Sequence, residues 1–182
     1  GQQDVSGNFV QGGKVTKMNL NNLNNKADVL VALDNLKANL PNVEWVSVVV
    51  NWFSDSADPA VSIIKPAAEF NSQGARIAPD DWSVAGFNRN NAHVILTFPD
   101  GSPTYGGTPT DKSIIRLCQE LKARGYKVLF YPMVQVDTIT PQPKPWRGRI
   151  IPTNATDAAN FFTRTNGYNA FITHYANLNV GG

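Results

Sequence analysis

The sequence predicts an α/β domain built around a parallel sheet. Two observations carry this. Residues 44–53 (EWVSVVVNWF) and 127–136 (KVLFYPMVQV) are near-continuous apolar runs of strand length, rich in β-branched and aromatic residues. Such runs suit strands covered on both faces. Each follows a segment of helical periodicity, and a helix-to-strand succession that repeats along a chain is the signature of parallel α/β architecture.

The elements follow in order. Residues 1–22, rich in Gly, Gln and Asn, read as a loose N-terminal segment, and residues 23–182 as the folded domain. In 24–40, Ala27, Leu30, Leu33, Leu36 and Leu40 recur at helical spacing, and Pro41 stops the helix. The first strand comes next. From 54 to 82 turn signals dominate, with VSII (61–64) as a minor strand. WSVAGF (82–87) and HVILTF (93–98) both read as strands, either paired as a hairpin or with only one in the main sheet. Thr108 is the expected N-cap of the next helix, with Pro109 at its first position and Asp111 in its first turn. Ile114, Ile115, Leu117, Cys118 and Leu121 form its apolar stripe, and Gly125 is placed for a left-handed C-cap. After the second long strand comes a proline-studded loop ending in PWRGR. A final helical region follows from about 156, interrupted near Asn166-Gly167.

Composition narrows the function. The 182 residues are 42% hydrophobic, enough for one domain with a core. Sixteen basic against fourteen acidic residues give a net charge of +2, too small an excess for a dedicated nucleic-acid binder. Local contact through Lys144, Arg147 and Arg149 is the residual nucleic-acid reading. Cys118 is the sole cysteine, so an intrachain disulfide or thiolate cluster is excluded, and its core-facing position favours a buried role. The longest apolar stretches are strand-sized, so no membrane span is expected. His93 and His174 have no metal-ligand spacing and read as structural or surface residues; no metal or cofactor motif is present.

Sites in parallel α/β sheets collect beyond the carboxyl ends of the strands. That selects Asp55, just past the first strand, and Asp137, just past the second, as candidate catalytic carboxylates. Aspartates there are equally ordinary turn formers. The three glutamates are less well placed: Glu44 precedes a strand, Glu69 lies in a loop and Glu120 in mid-helix. Trp52, Tyr105, Tyr131 and Trp146 offer aromatic faces for sugar rings or for bases, although Tyr131 also suits the core. Arg147 and Arg149 offer donor forks for carboxylates or sugar hydroxyls, or else pin their loop to a nearby aspartate. Tyr105-Gly106-Gly107 before a helix is a weak anion-site signal, and a tight turn is the simpler reading.

The blocks NVEWVSVVVNWF, WSVAGFNR, PTYGGTPTDKSII, LKARGYKVLFYPMV, PWRGRI and FITHYANL together resemble the TIM-barrel-like domain of alphaproteobacterial gene transfer agent and prophage tail proteins. The resemblance covers about residues 24–178. It implies a glycoside-hydrolase-like (β/α)₈ barrel in a tail-hub protein, a component of a phage-like particle made in the bacterial cytoplasm. The implied partners are cell-envelope polysaccharide, bound or hydrolysed, and other tail proteins. It carries Asp55, Tyr105, Tyr131, Asp137, Trp146 and Arg147 over as cleft residues. A barrel takes about 250 residues, so the chain is expected to hold only its first three or four βα units, ending before the strand that would bring an acid/base glutamate. An interrupted barrel leaves open sheet edges, from which self-association is expected. A non-catalytic adhesion or structural module is the alternative, since a barrel fold does not itself imply catalysis.

Overall fold

A computed structural model describes residues 20, 22–24, 26–58, 60–71, 81–138, 156 and 168–178. Residues 1–19, most of the 139–167 stretch with its PWRGR loop, and the last four positions lie outside the described residues. Helix α1 spans Asp28–Asn39 and leads into strand β1, Trp45–Ser54. Short strands β2 (Ile64–Lys65), β3 (Ala67–Ala68), β4 (Ser83–Val84), β5 (Phe87–Asn88) and β6 (His93–Val94) follow. Helix α2 (Asp111–Ala123), strand β7 (Lys127–Val136) and helix α3 (Tyr168–Ala176) complete the described elements. The fold is mixed α/β, and no sheet closes on itself among the described residues.

The two long strands pair in parallel over their whole length, from Trp45 opposite Lys127 to Ser54 opposite Val136. Because α2 lies between them in the chain, β1–α2–β7 is a βαβ unit, as the apolar runs predict. Pro132 has no N–H to give a ladder, and among the described residues β7 is an outer strand in the order β2-β1-β7, where a proline is tolerated. Strand β2 adds antiparallel to the last two residues of β1.

The even-numbered residues of β1 face the helices. Val48, Val50 and Trp52 join Leu33 of α1, Ile114, Cys118 and Leu121 of α2, and Phe171 and Tyr175 of α3 in one core. Trp52 stacks on Phe171 with ring centroids 4.8 Å apart, and Phe130 stacks on Tyr175 at 4.9 Å. The odd-numbered face differs from expectation. Trp45, Val49, Leu129 and Tyr131 are about half exposed, so along most of their length the strands are covered on one face only. At the carboxyl end this changes. Trp52, Phe53 and Ser54 are buried in succession, because the chain between β1 and α2 folds over that end and packs Ala67, Ile95 and Tyr105 on Phe53.

That intervening chain departs from the simple strand reading in two ways. WSVAGF does not pair with HVILTF; it folds on itself, with β4 and β5 joined by the two-residue turn Ala85-Gly86. Both turn residues have positive φ, 50° and 81°, as a type I′ hairpin requires. Only His93 and Val94 of HVILTF enter a strand, parallel to β3. Helix α2 starts two residues later than expected. Its N-cap is Thr110, whose side chain accepts from the Ser113 amide, because the Thr108 hydroxyl is already engaged elsewhere. The other end is as read. Gly125, at φ 83°, sits in a Schellman cap in which the Tyr126 amide donates to Leu121 O and the Gly125 amide to Lys122 O. No helix among the described residues is long and apolar enough to cross a membrane.

Two outcomes follow from these local structures. Ala85 holds a left-handed conformation that costs an L-residue about 1–2 kcal/mol. Glycine removes that strain at an entropic cost of about 0.5–1 kcal/mol. Ala85→Gly is therefore expected to raise the urea midpoint slightly; a lowered midpoint would contradict the turn assignment. Burial pushes the Cys118 thiol above its usual range, with Lys122 only partly opposing. Its reaction with a disulfide reagent is expected to be slow in the native chain and fast in denaturant.

Candidate functional site

Among the described residues, the carboxyl end of the β1–β7 pair gathers a dense set of side-chain hydrogen bonds. Asp137 is the first residue past β7. Its amide donates to Ser54 O at 2.8 Å and so extends the parallel ladder by one step. Its side chain, 2% exposed, turns inward. One carboxylate oxygen, Oδ2, lies 2.7 Å from His93 Nε2 and accepts from the Leu96 amide at 3.1 Å. A buried carboxylate needs such partners, since leaving one unpaired costs several kcal/mol. An ionised carboxylate can only accept, so the contact is a hydrogen bond when Nε2 carries a proton.

Thr108 ties the covering segment to the sheet. It is buried, and its hydroxyl accepts from the Ala67 amide at 3.0 Å and donates to Asn51 O at 2.9 Å. Its own amide donates to Ala67 O, and its carbonyl accepts from Trp82 Nε1, both at 2.8 Å. One residue thus joins β1, β3 and the segment leading into the β4–β5 hairpin. Beside it, Glu69 follows β3 directly. Oε1 accepts from the Gly107 amide at 3.0 Å, and Oε2 faces Arg89 at 3.4 Å. Arg89 also donates to Phe70 O, and its guanidinium lies 5.8 Å from the centre of the exposed Phe70 ring.

A second histidine–aspartate pair sits on the helix side. His174 of α3 meets Asp111 Oδ1 at 2.8 Å, and Asp111 Oδ2 accepts from the Ala85 amide. Asp111 therefore clasps α2, α3 and the hairpin turn together. Next to His174, Tyr175 has its phenol pushed above the ordinary range, chiefly by burial, although the Trp52 indole N–H donates to it at 3.4 Å.

The residues nominated from sequence therefore separate. Asp55, Tyr105 and Asp137 lie at the strand end. Asp55 accepts from the Ile63 amide at 2.8 Å and so closes the loop that delivers β2. Tyr105 packs on Phe53, ring centroids 5.9 Å apart. Trp52 is directed into the core against Phe171, not toward a cleft. Tyr131 is 52% exposed, so it does not fill the core. It lies six positions before Asp137, about 20 Å along the strand at 3.3 Å per residue, on the open sheet face. Trp146, Arg147 and Arg149 lie outside the described residues. His93, Glu69, Arg89 and Thr108 were not nominated, yet they build the strand-end cluster. Their partners lie far along the chain (His93 and Asp137 are 44 positions apart) and no local spacing signals them.

Among the described residues, no group of three or more potential metal ligands converges. No protein-family model matches the chain, and no curated protein matches it. What the site can do therefore rests on its own groups: a carboxylate held by an arginine beside an aromatic ring, and an imidazole held by a buried carboxylate.

Two substitutions test this wiring. Thr108→Val keeps the shape but strands the Ala67 amide and the Asn51 carbonyl, and is expected to cost about 2–3 kcal/mol in denaturant unfolding. Thr108→Ser keeps both bonds and is expected to lose much less. At Gly107 an added Cβ would lie 2.9 Å from the Glu69 carboxyl and 3.0 Å from Ala67 O. Glu69 can swing away but the backbone carbonyl cannot. Gly107→Ala is expected to cost about 1–3 kcal/mol, with Glu69→Ala in the same chain restoring only part of it.

Proposed function

We propose that the chain belongs to a tail protein of a phage-like particle, of the gene transfer agent or prophage type, and that its α/β domain is part of a TIM-barrel-like module that binds cell-envelope polysaccharide at the strand-end face. The sequence blocks that resemble that family motivate the setting, and with it other tail proteins as partners. One observation carries the choice of binding over cutting: both nominated carboxylates are already engaged. Asp55 accepts a backbone amide, and Asp137 is buried against His93 and Leu96. Glycosidic hydrolysis needs two carboxyl groups flanking one bond, about 5–9.5 Å apart. The groups left to meet a sugar are the exposed Phe70 ring, the Arg89–Glu69 pair beside it and Tyr105. They suit an apolar sugar face edged by hydroxyls.

A hydrolytic reading is favoured by one residue. Glu69 follows a strand, is 29% exposed and is oriented by Gly107 and Arg89, which is the placement of a working carboxylate. Its partner carboxyl would come from elsewhere in the parent barrel.

Co-sedimentation with purified peptidoglycan sacculi separates the two. Binding without release of reducing ends is expected, and Phe70→Ala is expected to weaken it about tenfold, or about 1.4 kcal/mol. Release of reducing ends that Glu69→Gln abolishes would establish the hydrolytic reading instead. A chain that ignores every envelope glycan tested would remove both.

A further inference from the structure

We propose that Glu69 sets the charge of the ligand at this site: it neutralises Arg89, so the site takes an uncharged glycan, and without its carboxylate the same site turns to an acidic one. The proposal rests on the polysaccharide-binding reading and names the substrate class within it.

Arg89 follows β5 at the end of the hairpin, and three of its contacts do not involve Glu69. Its Nη1 donates to Phe70 O at 3.2 Å. Its guanidinium lies 5.8 Å from the centre of the Phe70 ring and 6.0 Å from that of Trp82. Trp82 is itself buried and fixed, because its Nε1 donates to Thr108 O. The fourth contact is the one with Glu69, whose Oε2 faces Nη1 at 3.4 Å. A single contact of that length is not a bidentate fork, so Glu69 contributes charge more than position. The Arg89 side chain is 11% exposed, and a cation so enclosed is costly without a counter-charge. Among the described residues Glu69 is the carboxylate that meets it.

Glu69 in turn is held independently of Arg89. Its Oε1 accepts from the Gly107 amide at 3.0 Å, which keeps the carboxylate at the end of β3, next in the chain to the exposed Phe70. The pair beside the ring is thus neutral with both partners present and positive with Glu69 removed. In the first case a carboxylate on a sugar would face the like charge of Glu69. In the second it would meet a guanidinium already in place, whose planar donors suit a carboxylate.

The test uses the intact chain and two tetrasaccharides of one backbone: chitotetraose, which is neutral, and its C6-oxidised form, which carries carboxylates in place of primary alcohols. The readout is the ratio of their dissociation constants by calorimetry. The wild-type chain is expected to favour chitotetraose about tenfold. Glu69→Gln, which keeps an acceptor for the Gly107 amide, is expected to reverse the preference, and Glu69→Ala to do the same. Adding Arg89→Met to Glu69→Gln is expected to abolish the acidic preference, and added salt to weaken acidic binding by Glu69→Gln. A merely structural role for Glu69 would weaken both ligands alike and leave the ratio unmoved. Sacculus binding by a wild-type chain that prefers the acidic tetrasaccharide, takes neither, or keeps its preference in both Glu69 variants would overturn the proposal while leaving polysaccharide binding intact. Failure of the wild-type chain to bind sacculi or either tetrasaccharide would overturn the binding reading itself, and this selectivity with it.

Discussion

The in-register parallel pairing of β1 with β7 is the constraint on which the rest of the structure depends. It places two strand ends side by side, so that Ser54 and Asp137 meet through a backbone hydrogen bond. It sets Val48, Val50 and Trp52 in one row beneath the helices, and Phe130 in the row beside them. A slip of one residue would turn these rows to the opposite face and expose the core. The register also lets Asn51 reach Gln135 across the two strands at 2.9 Å. The contacts of Asp137 with Ser54, His93 and Leu96 depend on this alignment.

The long elements were legible in the sequence because their signals are local. Helical spacing over 24–40 yields Asp28–Asn39, and the apolar runs yield strands within a residue of their observed limits. The C-cap at Gly125 was legible for the same reason. The segment between β1 and α2 was not. Thr108 looks like a cap in the sequence, but its hydroxyl serves two backbone groups that lie 41 and 57 positions away, so Thr110 takes the cap. WSVAGF looks like a strand until Ala85 and Gly86 adopt positive φ together. The continuous apolarity of the runs suggested cover on both faces, and it overstated the burial of Trp45 and Tyr131.

The same division holds at the site. The rule that places function at strand carboxyl ends pointed to Asp55 and Asp137, and the structure puts both beside the covering segment. It could not tell a free carboxylate from an engaged one, because that depends on what the covering segment brings back. That segment returns His93 to Asp137 and Gly107 to Glu69. It thereby turns two isolated acids into two oriented groups, one buried and one accessible. The arrangement resembles binding sites in which rigid backbone donors hold a few polar groups in place beside an aromatic face.

The separation in sequence between the paired strands has a kinetic consequence. Glu44 and Lys127, which join the starts of β1 and β7, are 83 positions apart. Closing so long a loop carries an entropic cost before any contact repays it, and domains dominated by such contacts fold slowly. During synthesis at about 5–20 residues per second, β1 would emerge and wait several seconds for its partner. For that time an apolar ten-residue strand has both edges free. Among the described elements, α1 precedes it and the covering segment follows it before β7 is made. The covering segment, made between the two strands and packed on Phe53 at the end of β1, is placed to shield that end during the interval.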